Sequence, residues 1–580
     1  MMKKITALLI AALACWSGAA AAEMGENPQC FAAAVKENGK WGVADRQGHL
    51  VVPAQFDAVS VSLSDKDIRN EDLQSMPGRD NLIEVRQGKF RGFYNREGKT
   101  VVPVSYVHRS SWAEGTLAVE NEKEKIAFFK EDGTALSPYV YEEASDFKEG
   151  MAVVKREGKY GYLRLDGSEI VPVYSAARPF SGGAAPVKKQ KWGVVDTSGK
   201  VIVPFQYDDA GPFFSDGLLA VKKDNRWGFI DAGGREAVPL VYRAVHPVFS
   251  EGITAVQNEK KLWGFLNKNG EVTASPRFKQ VLTPMSEGLA GVVTEDGKAY
   301  AKADGTIAFH ADFDQIFPFK EGLAEYREGE VVERRVRPAI SIGWGWGWGR
   351  WHRHPWGWGW GWPMWGPWWY DTWYDGTATD TEVKRGYLDK TGRIIASTAL
   401  DHVYPANEKG ILVFKDGRFG WIAPSGQYTI HTEYRRLIPL EKENLVIARN
   451  ENKDWGLLTF AGEPVLPFIY DEITCLGKGY FAVKQEGKWG LAGHDGTILA
   501  APVYRNIGME GNGLFPAKTK NGWIYLDMAG KEAISFADPP EEALFFKDGG
   551  AGVKIHGKWG IIGPDGEWTA EPRFDQYMAL

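Results

Sequence analysis

The chain has 580 residues, 44% of them hydrophobic and 25% charged, with a formal net charge of -6 and three cysteines. A chain this apolar can bury a core, and its mildly acidic balance speaks against nucleic acid as a partner, because phosphate binding draws on an excess of lysine and arginine. Beyond the first residues no apolar run is long enough to cross a bilayer as a helix, which excludes a helical multi-span membrane protein and leaves several domains or one long repeat array.

The N-terminal stretch "MMKKITALLIAALACWSGAAAAEM" has a charged start at Lys3 and Lys4, an apolar run from Ile5 to Ala14 and small residues up to Ala22. That layout predicts a secretory signal peptide over 1–22 and places the mature chain in the periplasm or outside the cell. Cys15 opens a lipoprotein alternative, but Leu13 stands two residues before it, where a lipobox has its leucine at three. Of the cysteines, Cys30 and Cys475 then remain. In an oxidising compartment they can pair or stay as thiols, and the sequence leaves both open.

The rest of the chain is one unit repeated. "GKWGVADRQGHLVVPAQFDAV" from Gly39, "QKWGVVDTSGKVIVPFQYDDA" from Gln190, "NRWGFIDAGGREAVPLVYRAV" from Asn225 and "GKWGLAGHDGTILAAPVYRNI" from Gly487 share four features. These are an aromatic-Gly pair, a turn glycine seven positions after the aromatic, a frequent proline at twelve, and Tyr or Phe at fifteen. Aligned on the turn glycine, fourteen copies place the aromatic slot at Trp41, Arg91, Ile126, Tyr160, Trp192, Trp227, Trp263, Ala299, Arg385, Phe419, Trp455, Trp489, Trp523 and Trp559. Spacings run from 32 to 36 residues, apart from 50 before the second copy and 86 before the ninth.

This motif resembles the WG (KWG) repeat of bacterial proteins, over nearly all of the mature chain. The resemblance implies an exported, repeat-built protein that mediates interactions, and it carries no catalytic residue over to this sequence.

Within "DGLLAVKKDNRWGFIDAGGREAVPLVYRAV" the pattern predicts strands over Leu218 to Lys222, Arg226 to Asp231 and Glu236 to Val238. The turns fall at Asp224-Asn225 and Gly233-Gly234, with Trp227, Phe229 and Asp231 on one face of the middle strand. The glycine ending "DAGG", "DRQG" and "DTSG" suits a positive φ, and the aspartate three residues earlier can cap that turn. The glycine after Trp suits close approach by a neighbouring ring, and Pro204 or Pro239 is expected to end the third strand on an edge.

Each unit is therefore an antiparallel meander of two or three short strands that cannot bury its apolar face alone, so stacked neighbours must supply the core. Fourteen units exceed the ~4 to 8 blades of an ordinary propeller. The expected fold is all-β with little helix: an open, curved or superhelical array, with two propeller-like rings as the alternative. Trp41, Trp192, Trp227, Trp263, Trp455, Trp489 and Trp559 are then structural, as are the recurrent acids Asp57, Asp208, Asp471 and Asp575. An active site needs a unique constellation, so function is expected in the departures from the consensus.

No nucleophile elbow, phosphate-binding loop or zinc-protease helix motif occurs, and no cofactor is implied. "DKDIRNEDLQS" from Asp65 has the charge of a calcium loop, but Asn70 and Met76 occupy the places of its glycine and bidentate acid, so it reads as a solvated loop. His352 and His354, beside Arg350 and Arg353, are a weak pair of candidate metal ligands.

The largest departure is "SIGWGWGWGRWHRHPWGWGWGWPMWGPWWYDTWY", residues 341–374, with half of the chain's 24 tryptophans. It interrupts a hairpin at its turn, between "EGLAEYREGEVV" from Glu321 and "KRGYLDKTGRII" from Lys384. The layout is a signal peptide over 1–22, an array over 23–332, an insertion over 333–382 and a second array over 383–580. If extended, the insertion sets Trp344, Trp346 and Trp348 beside Trp356, Trp358, Trp360 and Trp362, with Trp351 in the turn, as an aromatic wall. That wall, with Arg350 and Arg353, can fold back as a cover, bind an envelope glycan or protein, or lie at a membrane surface. The expected function is a non-enzymatic binding or scaffold protein of the bacterial cell envelope. An envelope glycan hydrolase using carboxylates on the array face, and membrane-surface adhesion through the insertion, are the alternatives.

Overall fold

The computed structural model describes residues 32–60, 82–329 and 383–580. All elements among these residues are β-strands, gathered into fourteen antiparallel sheets, here numbered 1 to 14 in chain order; thirteen have four strands and sheet 3 has three. In sheet 6 the meander runs Leu218–Lys223, Arg226–Asp231 and Glu236–Tyr242, as the alternation of Val, Leu and aromatic residues dictates. The first turn is tight: Asp224 and Asn225 both have positive φ, at 49° and 64°, the conformation a two-residue hairpin needs. In the second turn Gly234 has φ 85°, and the Asp231 carboxylate accepts from the amides of Gly233 and Arg235 at 3.0 and 2.9 Å.

The meander gains a further strand. Asp209–Ala210 pairs with the first strand, Asp209 opposite Lys222, and forms the sheet's other edge. This lead strand is only one residue beyond Val201–Tyr207, the third strand of sheet 5. A third strand therefore turns one corner, at Asp208, and becomes the lead strand of the next sheet. The sequence pattern missed it because two residues are too few to show alternation.

Proline does not end the third strand. Pro204 and Pro239 lie inside Val201–Tyr207 and Glu236–Tyr242, next to a register shift opposite Trp192 to Val194 and Trp227 to Phe229. At a bulge one ladder bond is already absent, so the missing proline N–H costs little.

The apolar core is distributed as fourteen clusters, one at each step between consecutive sheets. Trp192, Val194 and Tyr207 of sheet 5 pack on Phe214, Leu219 and Val221 of sheet 6, and the pattern recurs at each step. The last cluster joins Trp559, Ile561 and Phe574 of sheet 14 to Ala33, Val35 and Ala44 of sheet 1. The closing strand, Gln576–Ala579, is the lead strand of sheet 1, with Ala33 opposite Ala579 and Val35 opposite Tyr577.

The sheets thus form one closed ring, and this corrects the expectation of an open array. Fourteen equal steps bring the last corner back to the first sheet, and backbone pairing there removes the two exposed edges an open array keeps. The propeller-like alternative holds, as one ring in place of two: a cluster holding Leu289 and Tyr300 with Phe319 and Ala324 joins sheet 8 to sheet 9, halfway round. Because all sheets share one strand order, the ring has two chemically distinct faces. One carries the turns between first and second strands together with the corners; the opposite face carries the other two sets of turns.

Candidate functional site

The recurrent residues are committed to the ring. Each Trp of the slot except Trp523 lies opposite the aromatic that ends the third strand, as Trp227 does Tyr242 and Trp559 does Phe574. Trp192, Trp227, Trp263 and Trp559 are buried, and Trp41, Trp455 and Trp489 half-buried. A cation from the first strand covers the exposed side of the ring: Lys36 over Trp41, Lys188 over Trp192, Lys222 over Trp227, Arg449 over Trp455, Lys484 over Trp489 and Lys554 over Trp559, all 5.2 to 5.9 Å from the centroid. The sequence signal for this was the first lysine of "AVKK", Lys222, directly opposite Trp227 in register.

The corner acids have equally local work. Asp57 accepts from the Gly88 amide at 2.7 Å, Asp208 from Asp224 at 3.0 Å and Asp471 from Gly487 at 3.1 Å, so each ties a corner to the next hairpin turn. Lys40, Lys191 and Lys558 pair with Asp57, Asp208 and Asp575. The Gly88 amide foremost, then Lys40, holds the Asp57 carboxyl below its usual range, and Lys191 does the same for Asp208.

On the opposite face a second acidic series links unit to unit. Glu114 accepts from the amides of Glu149 and Gly150, Glu149 from Gly182 and Gly183, and Glu251 from Glu287 and Gly288, at 2.6 to 3.1 Å. Beside it, the hydroxyls of Ser181, Ser250 and Ser286 donate to the carbonyls of Phe214, Met285 and Phe319.

The register also corrects one slot. In sheet 8, Lys298 lies opposite Val293, as Trp227 lies opposite Lys222, so Lys298 holds the aromatic position and Ala299 the glycine position. Nor does a neighbouring ring generally approach the glycine after Trp. At Gly42, Gly161, Gly228 and Gly264 an added Cβ would meet the backbone of the unit's own bulged third strand at 2.4 to 2.6 Å.

The insertion leaves from the first-to-second turn of sheet 9. Its flanking strands, Leu323–Glu328 and Lys384–Asp389, pair without a break out to Glu328 opposite Lys384. Trp344, Trp346, Trp348, Arg350, Trp351, His352, Arg353, His354, Trp356, Trp358, Trp360 and Trp362 lie outside the described residues. So do residues 1–22 with Cys15, the stretch from Asp65, and Cys30; Cys475 packs in the cluster between sheets 11 and 12.

The base of that hairpin departs from the Trp-Lys pattern. Arg385 takes the aromatic slot opposite Arg327, and Glu325, 8% exposed and opposite Tyr387, lies beside both. Glu325 accepts from Arg327 at 2.5 Å and from the Tyr387 hydroxyl at 3.2 Å, while the Arg385 Nε sits 3.2 Å away but is not aligned to hydrogen-bond. Two guanidiniums and one carboxylate thus replace the Trp-Lys pair. Sheet 2 uses the same exchange, with Arg91 in the slot 3.6 Å from buried Glu84.

A shallow cleft of about 600 Å³ opens on the opposite face between sheets 8 and 9, lined by Glu287, Leu289, Lys302, Asp304 and Lys390. Its charges are mutually committed: Glu287 pairs with Lys390 at 2.7 Å and accepts from the Gly322 amide. Hydrogen bonds and neighbouring cations hold Glu287 and Asp304 below the ordinary carboxylate range. Among the described residues no group of three or more His, Cys, Asp or Glu side chains could hold a metal ion.

No curated protein matches the sequence at a significant level. Among solved structures, a eukaryotic initiation factor is similar at 11% identity and a TM-score of 0.30, over 62% of this chain and 95% of that one. Kluyveromyces lactis Hsv2 gives 10% identity and 0.22, over 44% of this chain and 91% of its own. The extracellular domain of a hybrid two-component system from B. thetaiotaomicron gives 11% and 0.18, over 93% and 82%. Scores this low carry no argument about the ring. The family model described as "WG containing repeat" matches nine stretches, 41–62, 126–160, 160–191, 192–227, 227–261, 263–298, 300–330, 455–489 and 489–523. These cover just over half of the chain, their repeat architecture is that of an interaction or scaffold module, and the chain belongs to the WG-repeat family.

Proposed function

We propose that the protein is a non-enzymatic binding or scaffold module of the bacterial cell envelope, exported through its N-terminal segment, with the Trp-rich insertion as its contact site. The observation that carries this reading is the intact hairpin at the insertion's base, where Glu328 still pairs with Lys384. The unbroken pairing of the flanking strands keeps the ring complete at this point, so the ring supplies a rigid mount for a contact made by the insertion. The carboxylates support binding over hydrolysis: where partners or burial move a described Asp or Glu, the shift is downward, as at Asp57, Asp196 and Glu287, whereas a general acid needs the opposite.

The test is retention on isolated envelope fractions, comparing the full chain with a form in which Glu333 to Glu382 is replaced by a short turn. The expected result is that the shortened form keeps its thermal melt and loses retention on one fraction, which then holds the glycan or protein partner. Equal retention by both forms would move the contact site to the ring itself.

A further inference from the structure

The two faces of the ring differ in charge, most clearly at sheets 5 to 7. On the corner face the hairpin turns there carry Lys189, Lys223, Lys260 and Lys261, with Arg243 at the corner between sheets 6 and 7, all five exposed. Carboxylates nearby are drawn elsewhere: Asp208 pairs with Lys191 and Glu259 with Arg226. Lys189 lies over the Phe205 ring and Lys223 bonds to neutral Gln206; exposed Asp224 in the same turn offsets one charge, and the arc of five exposed cations stays positive. On the opposite face of the same sheets the turns carry Asp216, Asp231, Glu251 and Glu271 against Lys200, Arg235 and Lys268, with Arg235 paired to Asp231, so no cation excess arises there.

We propose that the corner face of sheets 5 to 7 docks on an anionic phospholipid surface. The paired strands of these hairpins keep one register in successive sheets, Lys188 opposite Trp192, Lys222 opposite Trp227 and Gln257 opposite Trp263, so their turns project from the same face, stepped by the ~10 Å spacing of packed sheets. A row of lysine ammoniums on flexible stems suits the diffuse charge of a headgroup layer more than a shaped small ligand, and the cleft described above is on the other face. The chain's overall charge of -6 would repel such a surface, so attachment has to be oriented, with the opposite face turned away. The described chain stops at Gly329 and resumes at Val383 on this same corner face, at sheet 9. The basic arc is separate from that point, so neutralising it and shortening the insertion test two different claims.

The experiment is cosedimentation of the full chain with large vesicles of phosphatidylglycerol and phosphatidylcholine, against vesicles of phosphatidylcholine alone. The expected result is pelleting only with the anionic vesicles, lost as salt rises from about 0.05 to about 0.5 M. A variant combining Lys189→Gln, Lys223→Gln, Arg243→Gln, Lys260→Gln and Lys261→Gln should no longer pellet, while Lys200→Gln with Lys268→Gln and Lys302→Gln on the opposite face should bind as the parent does. If the combined variant melts early, the single changes replace it, each weakening attachment about fivefold. Equal binding to neutral vesicles, full binding by the neutralised arc, or salt-sensitive pelleting without vesicles, which would mark a second copy as the occupant, overturns the proposal.

Discussion

His246 shows how a single side chain can depart from the consensus without serving a site. It follows the lead strand of sheet 7, is 8% exposed, and meets the Trp263 ring edge-on at 4.9 Å. Burial pushes its imidazole down to about 3. The unfolded chain takes up a proton below about 6.5, whereas the folded chain resists until about 3. Stability is therefore lost as pH falls through that window, by about 2 kcal/mol at pH 5. The denaturation midpoint of the parent should fall between pH 7 and pH 5 more steeply than that of His246→Gln. Parallel midpoints would show that the imidazole is not held neutral. The sequence held no sign of this, because a histidine's burial depends on which sheet covers it.

At the scale of the strand, the Trp-Gly pair proves to be a backbone requirement. Eleven units have the glycine, and ten of these have a full third strand of six or seven residues that bulges over it. The three units without it carry Ala127, Ala299 or Ile524 there. Sheet 3 lacks the third strand altogether, and those of sheets 8 and 13 shrink to Ile307–His310 and Glu532–Ile534. A Cβ and the bulge compete for one space. Gly228→Ala would bring the Cβ 2.5 Å from the Val238 carbonyl, so it should destabilise by about 1 to 3 kcal/mol, read from the denaturation midpoint. An unchanged midpoint would contradict the steric account. The strands, the turns and their capping aspartates were legible because each rests on local chemistry within a dozen residues. The lead strands were not, since Asp209–Ala210 is defined by its partner across the sheet.

At the scale of the molecule, closure depends on contacts between the two ends of the described chain. Arg96, in a turn of sheet 2, is 8% exposed and donates to Asp548 of sheet 14 at 3.2 Å and to the Leu580 carbonyl at 3.4 Å. Leu580 itself is buried against Val52, Phe56 and Val85. Repeat counting could supply fourteen units but not the rotation per unit, which is set by how far each corner turns. A ring and a superhelix differ only in whether small equal steps sum to a closed circle, and no single residue encodes that sum. The candidate site was legible as a departure from the consensus, and its place on the corner face was not.

Closure is tested most directly by joining the ring where it meets itself. Ala33 and Ala579 are directly opposed across the closing pair of strands. The chain would carry Ala33→Cys and Ala579→Cys, with Cys15, Cys30 and Cys475 replaced by alanine. On mild oxidation it should form an intramolecular disulfide in nearly every molecule, seen as a faster-migrating monomer on a non-reducing gel. Persistent free thiols, or bridges only between separate chains, would show that the two ends do not meet and that the array is open.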